Sequence, residues 1–310
     1  MAYLKYIEKS HTRLEGKTAD AWLRTWMGER GYTMQFEPLF KSKFHDHYKN
    51  IALPWFWSRI HLRSFELGYL RGGFQQLYNR LAEEIAAHGG DLRFGQSVTG
   101  ISGDAGGRVT VRVGDDQLGF DRVVSTLPTR LTVKLTDGLP REYVERYDWG
   151  QALGAHCVIL ELDRQFFDRR FGETYWLNVN DPGYPFLAVV EHTNYMPPAD
   201  YGGRHLMYLG NYLPMDHPLF AMSRDEVLAA FLPHLRRINE DFRDEWVTGA
   251  HIFAAPYAQP VVTPDYVRHI PPHETPLPNL YLANMFQVYP QDRGQNYSVA
   301  MAERLARRLA

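Results

Sequence analysis

The sequence predicts an α/β or α+β fold, and three observations along its 310 residues carry that reading. Phe74, Leu77, Tyr78, Leu81 and Ile85 recur at three- and four-residue spacing, the mark of one apolar helix face, and short alternating strands follow at once. Between about 150 and 265, longer apolar runs form a separate layer of strands, followed by a helix that starts at the capping-box sequence Ser223-Arg224-Asp225-Glu226. The chain then finishes on a short apolar strand, a loop and a helix.

Taken in order, residues 18–30 read as a helix with Thr18 at its N-cap and Gly31 as its stop. Residues 32–66 mix aromatic and charged side chains with Pro54 and have no clean period, so no element is assigned there. Gly72-Gly73 opens the helix of residues 74–85, and Gly89-Gly90 ends it. Val98 to Ile101 is a strand and residues 103–107 are a turn. In Arg108 to Val113 the valines at 109, 111 and 113 alternate with Thr110 and Arg112, as in a half-buried strand. Leu118 to Phe120 and Arg122 to Ser125 complete a four-stranded meander that stops before Pro128. In the middle layer the strands are 153–162, 186–192 and 205–213. The helix after Ser223 turns Val227, Phe231, Leu235, Ile238 and Phe242 to one side, with a kink expected at Pro233. Leu280 to Ala283 is a short buried strand. The last helix, from about Gln295, is expected to bury Val299, Ala302, Leu305 and Leu309 and to show Arg304, Arg307 and Arg308 to solvent.

Composition narrows the function classes. With 34 basic against 36 acidic residues and a net charge of −2, the chain has no electrostatic footprint for nucleic acid or an anionic membrane. A lone Cys157 excludes an intrachain disulfide framework and a thiolate zinc site, and it fits a reducing compartment. The first residues have no apolar leader core, and no apolar run approaches the length of a membrane span, so a soluble cytoplasmic protein is expected. Aromatic residues reach 14%, which suits a planar small-molecule ligand as well as a core.

The stretch GYLRGGFQQLYNRLAEEIAAHGGDLRFGQSVTGIS, the meander, FDRVVSTLP, and finally NLYLANMFQVYPQDRGQNYSVAMAERLA occur in that order. Together they resemble the flavin-containing amine oxidase and protoporphyrinogen oxidase superfamily of FAD-dependent oxidoreductases, with UDP-galactopyranose mutases as more distant relatives. The resemblance covers residues 68–128 and 275–310 well and the middle in outline. It implies a partial, doubly wound FAD-binding domain (68–128 and 275–310) interleaved with a mixed-sheet substrate domain (1–67 and 129–274). It also implies FAD as cofactor and hydride transfer from an organic small-molecule substrate to the flavin. By position, Val98 matches the strand residue whose backbone meets the adenine. Gly294, Gln295 and Asn296 open the stretch to Val299 that matches the start of the last helix, whose free N–H groups lie near the flavin ring or the pyrophosphate. Asp292 and Arg293 line the same rim, and Gly72 and Gly73 bring backbone close to flavin or substrate.

Two departures from that family stand out. The sequence contains no G-x-G, so the strand–G-x-G-x-x-G–helix unit that cradles the FAD pyrophosphate has no counterpart. After the strand LYLA the family has glycine and an acidic residue, where this chain has Asn284-Met285. Three readings follow: a fragment or wrongly started gene product, half of a split enzyme whose partner chain supplies the missing βαβ unit, or a relative that has lost FAD. A non-catalytic regulatory subunit and a flavin-dependent mutase are the alternative functions.

Glu191, His192 and Asn194 end a predicted strand and are the candidates for acid–base work at the flavin edge, although a strand leaving the core for a loop is the preferred reading. His45-Asp46-His47 with His61 invites a metal reading but lacks a fourth ligand, and a solvated polar face is preferred. Cys157 lies in an apolar strand and reads as a small buried hydrophobe. Trp55, Trp57, Tyr208 and Tyr212 fit either an aromatic substrate wall or core packing.

Overall fold

The computed structural model describes residues 1–63, 68–104, 106–172 and 174–310. Its longer helices are α1 (Ala19–Gln35), α2 (Glu37–Phe44), α3 (Leu53–His61), α4 (Gln75–Ala87), α5 (Thr129–Leu135), α6 (Arg141–Tyr147), α7 (Arg224–Ile238) and α8 (Gln295–Leu309). Its strands are β1 (Val98–Gly103), β2 (Val109–Val113), β3 (Asp116–Phe120), β4 (Val123–Ser125), β5 (Ala152–Leu162), β6 (Trp176–Asn178), β7 (Ala188–Glu191), β8 (His205–Leu213), β9 (Val247–Pro260) and β10 (Leu280–Leu282). Two compact units share them. Residues 1–17, 52–150 and 262–310 make one, and residues 18–51 and 151–261 make the other. Residues 52–63, 129–150 and 262–274 therefore pack with the segments that resemble an FAD-binding domain.

The second unit is built on β5. Its residues alternate so that His156, Val158, Leu160 and Leu162 point into the core, and it is hydrogen-bonded on both sides, antiparallel to β8 and β9. The five-stranded order is β6-β7-β8-β5-β9. Against this face packs α7. The Ser223 side chain caps it and Glu226 reaches back to the Ser223 N–H, the reciprocal box its sequence predicts. Val227, Phe231 and Leu235 are fully buried among Val158, Leu160, Met207 and Leu209. Pro233 lies inside the helix without ending it, and Phe242 reaches the same core from beyond the helix end. The sequence analysis missed β6 and β9. Gly249, Pro256 and Pro260 weaken the strand signal of β9, but an edge position tolerates proline and pairing along β5 supplies what propensity lacks.

Thr18 caps α1 through its hydroxyl, as expected, but the helix does not stop at Gly31. The break falls at Gly28, whose backbone (φ 73°, ψ 161°) is open only to glycine, and helical turns resume to Gln35.

In the first unit, α3 occupies part of the stretch left unassigned. Pro54 sits in its first turn, where proline is tolerated, and Leu53 to Ser58 are all buried. The helix is only nine residues long and lies in a stretch of mixed aromatic and charged side chains, so spacing alone does not reveal it. The meander has three strands, not four. β1-β2-β3 form one antiparallel sheet, while β4 leaves it and pairs in parallel with β10, Val123 opposite Leu280. Ala105, in the turn between β1 and β2, and residues 64–66 lie outside the described residues. α4 forms as its periodicity demands and ends where Gly90 N–H returns to the Ile85 carbonyl, yet its apolar face is not covered. Phe74, Leu77, Tyr78, Leu81 and Ile85 are all exposed, Tyr78 and Leu81 by 47% each. In α8 the buried positions are Met301 and Leu305, four residues apart. Val299 and Ala302, expected inside, face outward because the packed face is centred on Met301.

At each crossing the interrupted chain is closed by backbone hydrogen bonds. In the first unit Leu53 N–H donates to the Lys17 carbonyl and Ala52 N–H to Val262 (2.8 and 2.7 Å). In the second, Ala19 N–H donates to Ile51 and Val261 N–H to Gln151, both at 2.8 Å. Among the described residues no helix is long and apolar enough to cross a membrane.

The second unit also holds five histidines whose pKa burial pulls down: His156, His192, His205, His217 and His234. In the unfolded chain they take up protons below about 6.5, and in the folded chain they resist doing so. Their contribution to stability is therefore present above that pH and is lost as pH falls through it. Glu191, raised by burial, runs the other way but is a single group. Thermal unfolding followed by circular dichroism from pH 8 to pH 5 should show the midpoint falling below about pH 6.5. A flat or rising midpoint would contradict this account.

Candidate functional site

In the second unit the structure brings Glu191, His192 and Asn194 together, and engages all three with the chain's own groups. The Glu191 carboxylate is fully buried and accepts the backbone N–H groups of Phe166 (2.8 Å) and Phe167 (2.5 Å). Asn194 Nδ2 donates to the carbonyls of Thr174 (2.8 Å) and Phe167 (3.3 Å) and to Glu191 (3.3 Å), while its Oδ1 accepts from Gln165. His192, 2% exposed, bonds Tyr195 Oη through Nδ1 and Tyr201 Oη through Nε2, at 2.7 and 2.6 Å. Burial pushes the Glu191 carboxyl above the usual carboxylate range, and the Phe167 and Phe166 N–H groups and the Asn194 amide oppose that shift. His205 Nδ1 stands 3.8 Å from Glu191, too far for a hydrogen bond, and burial lowers its pKa, so it is a neutral neighbour rather than an ion-pair partner. This geometry is that of a strut. It fixes the chain after β5 against the end of β7, as a strand leaving the core for a loop requires.

The flavin-side candidates all lie in the first unit, Asp292 to Asn296 at the start of α8, Gly72 and Gly73 before α4, and Val98 on β1. Gly294 is the N-cap of α8 and no side chain caps it; the Tyr297 N–H already donates to the Gly294 carbonyl at 3.1 Å, which leaves the Gln295 and Asn296 N–H groups without intrahelical acceptors. The Gln295 amide donates to Tyr78 Oη (2.5 Å), tying this end to the second turn of α4. Gly72 and Gly73 lie just before α4 with φ of 79° and 80°, a conformation that requires glycine at both. Asp292 is paired with Arg59 of α3 at 2.8 Å, and Ser58 Oγ donates to the Pro290 carbonyl at 2.9 Å, so α3 holds the loop that leads into the helix. Asn296 is exposed in the first turn, Arg293 is half-buried beside Asp292, and Val98 is half-buried at the start of β1. Spacing alone gave no sign of the supporting side chains Ser58 and Arg59, which lie in the unassigned stretch.

Of the other candidates, Trp57 donates its indole N–H to the Glu8 carbonyl and stacks on His61 at 4.6 Å, so both serve the packing of the first unit. Trp55 belongs to the same buried helix, whereas Tyr208 and Tyr212 belong to the second unit. His45 is likewise in the second unit, its Nε2 on the Tyr212 carbonyl, and His61 in the first; among the described residues no three His, Cys, Asp or Glu side chains are arranged to hold a metal. Burial pushes the Cys157 thiol up to about 11, away from nucleophilic use. A feature the sequence analysis missed is a cavity of about 1130 Å³ within the second unit, whose lining includes Glu37, Lys41, His45, Phe186, Asn211 and His217.

If Glu191 is a strut, Glu191→Ala should leave two buried N–H groups unpaired and cost about 3 kcal/mol, read from the urea midpoint. Glu191→Gln, which keeps one acceptor oxygen, should lose less. A loss for the alanine variant under about 1 kcal/mol, the size of one ordinary hydrogen bond, would remove the strut.

Comparison with known proteins places this geometry. No curated protein sequence matches the chain. Among solved structures it is similar to a protein from Exiguobacterium sp. 255-15 assigned as a protoporphyrinogen oxidase, at 18% identity and TM-score 0.74, covering 99% of this chain and 70% of that one. It is similar to a reduced UDP-galactopyranose mutase at 12% identity and TM-score 0.60, covering 77% and 56%. It is also similar to a redesigned putrescine oxidase at 19% identity and TM-score 0.55, covering 77% and 53%. These likenesses fix the fold, and the chain spans little more than half the length of the latter two. The sequence pattern of one family, flavin containing amine oxidoreductase, extends over residues 12–290, most of both units, and the chain belongs to that family.

Proposed function

We propose that the chain works as an FAD-dependent oxidoreductase that takes hydride from a small organic substrate, and that a partner chain carrying a strand–glycine-rich turn–helix unit completes its cofactor cradle. The observation that carries this reading is the uncapped start of α8. Its free N–H groups and positive dipole end suit an anionic or electron-rich ligand. The donor set at Gly294, Gln295 and Asn296 thus fits one side of a flavin, whereas a pyrophosphate cradle has no counterpart in a sequence without G-x-G. When bound, the flavin supplies the redox chemistry. The chain's own part is positioning: Arg59 and Ser58 hold the loop before α8, and the Gln295–Tyr78 bond sets the helix end against α4.

The partner follows from two surfaces of the first unit. A two-stranded parallel sheet, β4 with β10, is an unusual structure in isolation, because parallel sheets are normally covered on both faces. The bare apolar stripe of α4 is the other. A βαβ unit would extend the sheet and cover the helix at once. A reducing cytoplasmic setting is consistent with the single free Cys157.

Titration with FAD, read by quenching of flavin fluorescence, tests the first part. One FAD per chain is expected, and Gly294→Val, which crowds the donors, should weaken binding about tenfold (~1.4 kcal/mol) with an unchanged far-ultraviolet spectrum. Failure to saturate would leave a relative that has lost the cofactor. For the second part, light scattering of the chain mixed with a recombinant strand–G-x-G-x-x-G–helix module should show a one-to-one complex. Replacing Leu81 and Ile85 together by Lys should abolish that complex while changing the stability of the free chain by less than about 1 kcal/mol, since both are exposed.

A further inference from the structure

From the cavity of the second unit we infer a binding site for a neutral small molecule that carries an amide-type N–H and C=O on an apolar body. The inference is independent of the flavin reading, since every residue it uses lies in the second unit. The cavity, about 1130 Å³, lies among α2, the residues between β6 and β7, β8 and α7, with Phe186, Leu213, Leu219 and Ala230 among its apolar walls. Asn211 lines it. Its Nδ2 donates to the Pro185 carbonyl at 3.0 Å, but its Oδ1 is buried with no hydrogen-bond partner in the chain. Directly opposite Asn211 on β5, and so on the same face of the sheet, stands His156. It is 1% exposed, its ring packs against Phe220 and Phe231, and neither ring nitrogen has a partner in the chain.

Orphaned buried acceptors and donors are costly to keep. Asn211 lines the cavity and keeps a buried acceptor unpaired, which points to a ligand that pairs it; His156, beside it on the same face of the sheet, is not among the lining residues. Two further features converge on the same wall. His217 accepts the Leu219 N–H at Nδ1, which leaves its proton on Nε2 as a donor. His45 holds its Nε2 on the Tyr212 carbonyl at 2.5 Å and has a backbone φ of 49°, an uncommon conformation of the kind that collects at binding sites.

The charge pattern selects the ligand class. Glu37 is paired with Lys41 at 3.0 Å, and Asp181 with Arg237 at 3.4 Å, so the carboxylates on the lining are already answered by the chain. Burial holds the histidines neutral. A charged ligand would lose water without gaining an opposite charge. A neutral one with a donor for Asn211 Oδ1 and an acceptor for His217 Nε2–H matches the groups present.

Benzamide, benzoate and toluene share a body and differ only in the polar group, and isothermal titration of each against the full chain tests the inference. Benzamide is expected to bind at least about tenfold more tightly than either of the others, because only it pairs both Asn211 Oδ1 and His217 Nε2–H. Asn211→Leu should abolish that preference, since it removes the unpaired acceptor. His217→Phe, which removes the donor on a different segment, should also abolish it, and serves if Asn211→Leu does not fold. Equal binding of toluene and benzamide would overturn the inference. So would a preference unchanged by both substitutions, or the absence of benzamide binding, which would leave a cavity that holds water only.

Discussion

Each unit of this protein is assembled from separated stretches of chain, so everything else depends on how the interrupted ends are held. Four backbone hydrogen bonds do this, from Leu53 to Lys17 and Ala52 to Val262 in the first unit, and from Ala19 to Ile51 and Val261 to Gln151 in the second. Backbone bonds suit the task because they do not depend on side-chain identity and bring both strands of each crossing into register together. They convert two discontinuous sets of residues into two bodies, each with its own core. One core is the β5–α7 layer. In the other, buried α3 supports the loop that ends at Asp292.

Much of the fold was legible because its signals are local. The capping box at Ser223, the Thr18 cap, the valine alternation of β2 and the 3.6-residue period of α4 all report a single element from a few adjacent residues, and each formed where its residues indicated. What was illegible is what depends on distant partners. α3 is nine residues long and packs against residues 3–14, far from it in sequence. β9 is a strand because β5 lies beside it, despite its glycine and prolines. β4 follows its neighbours in sequence but pairs with β10, more than a hundred positions away, and nothing in Val123-Val124-Ser125 announces that choice.

The same distinction governs the sites. Around Gly294 the helix starts where the sequence indicates, because a helix start is a local feature. Glu191, His192 and Asn194 were chosen for their chemistry at a strand end, and their chemistry is used, but inward. A carboxylate beside two backbone donors and a histidine between two tyrosines are solutions to burying the turn after β7. Polar residue type alone does not distinguish a group offered to a ligand from one consumed by the fold. What distinguishes them is the presence or absence of a partner, which is visible at Asn211 Oδ1 and His156 and invisible in sequence.

The crossing at Val261 and Val262 also orders events during synthesis. The second unit ends at Val261, whereas the first needs Val262 for Ala52, Leu280 to Leu282 for β4, and α8 for its rim. On the ribosome the β5-centred sheet can therefore close first, while residues 52–150, already made, wait with their hydrogen-bonding groups open to other chains. The bare face of α4 belongs to that waiting segment and stays bare once the first unit closes, so a second polypeptide can reach it both during and after translation.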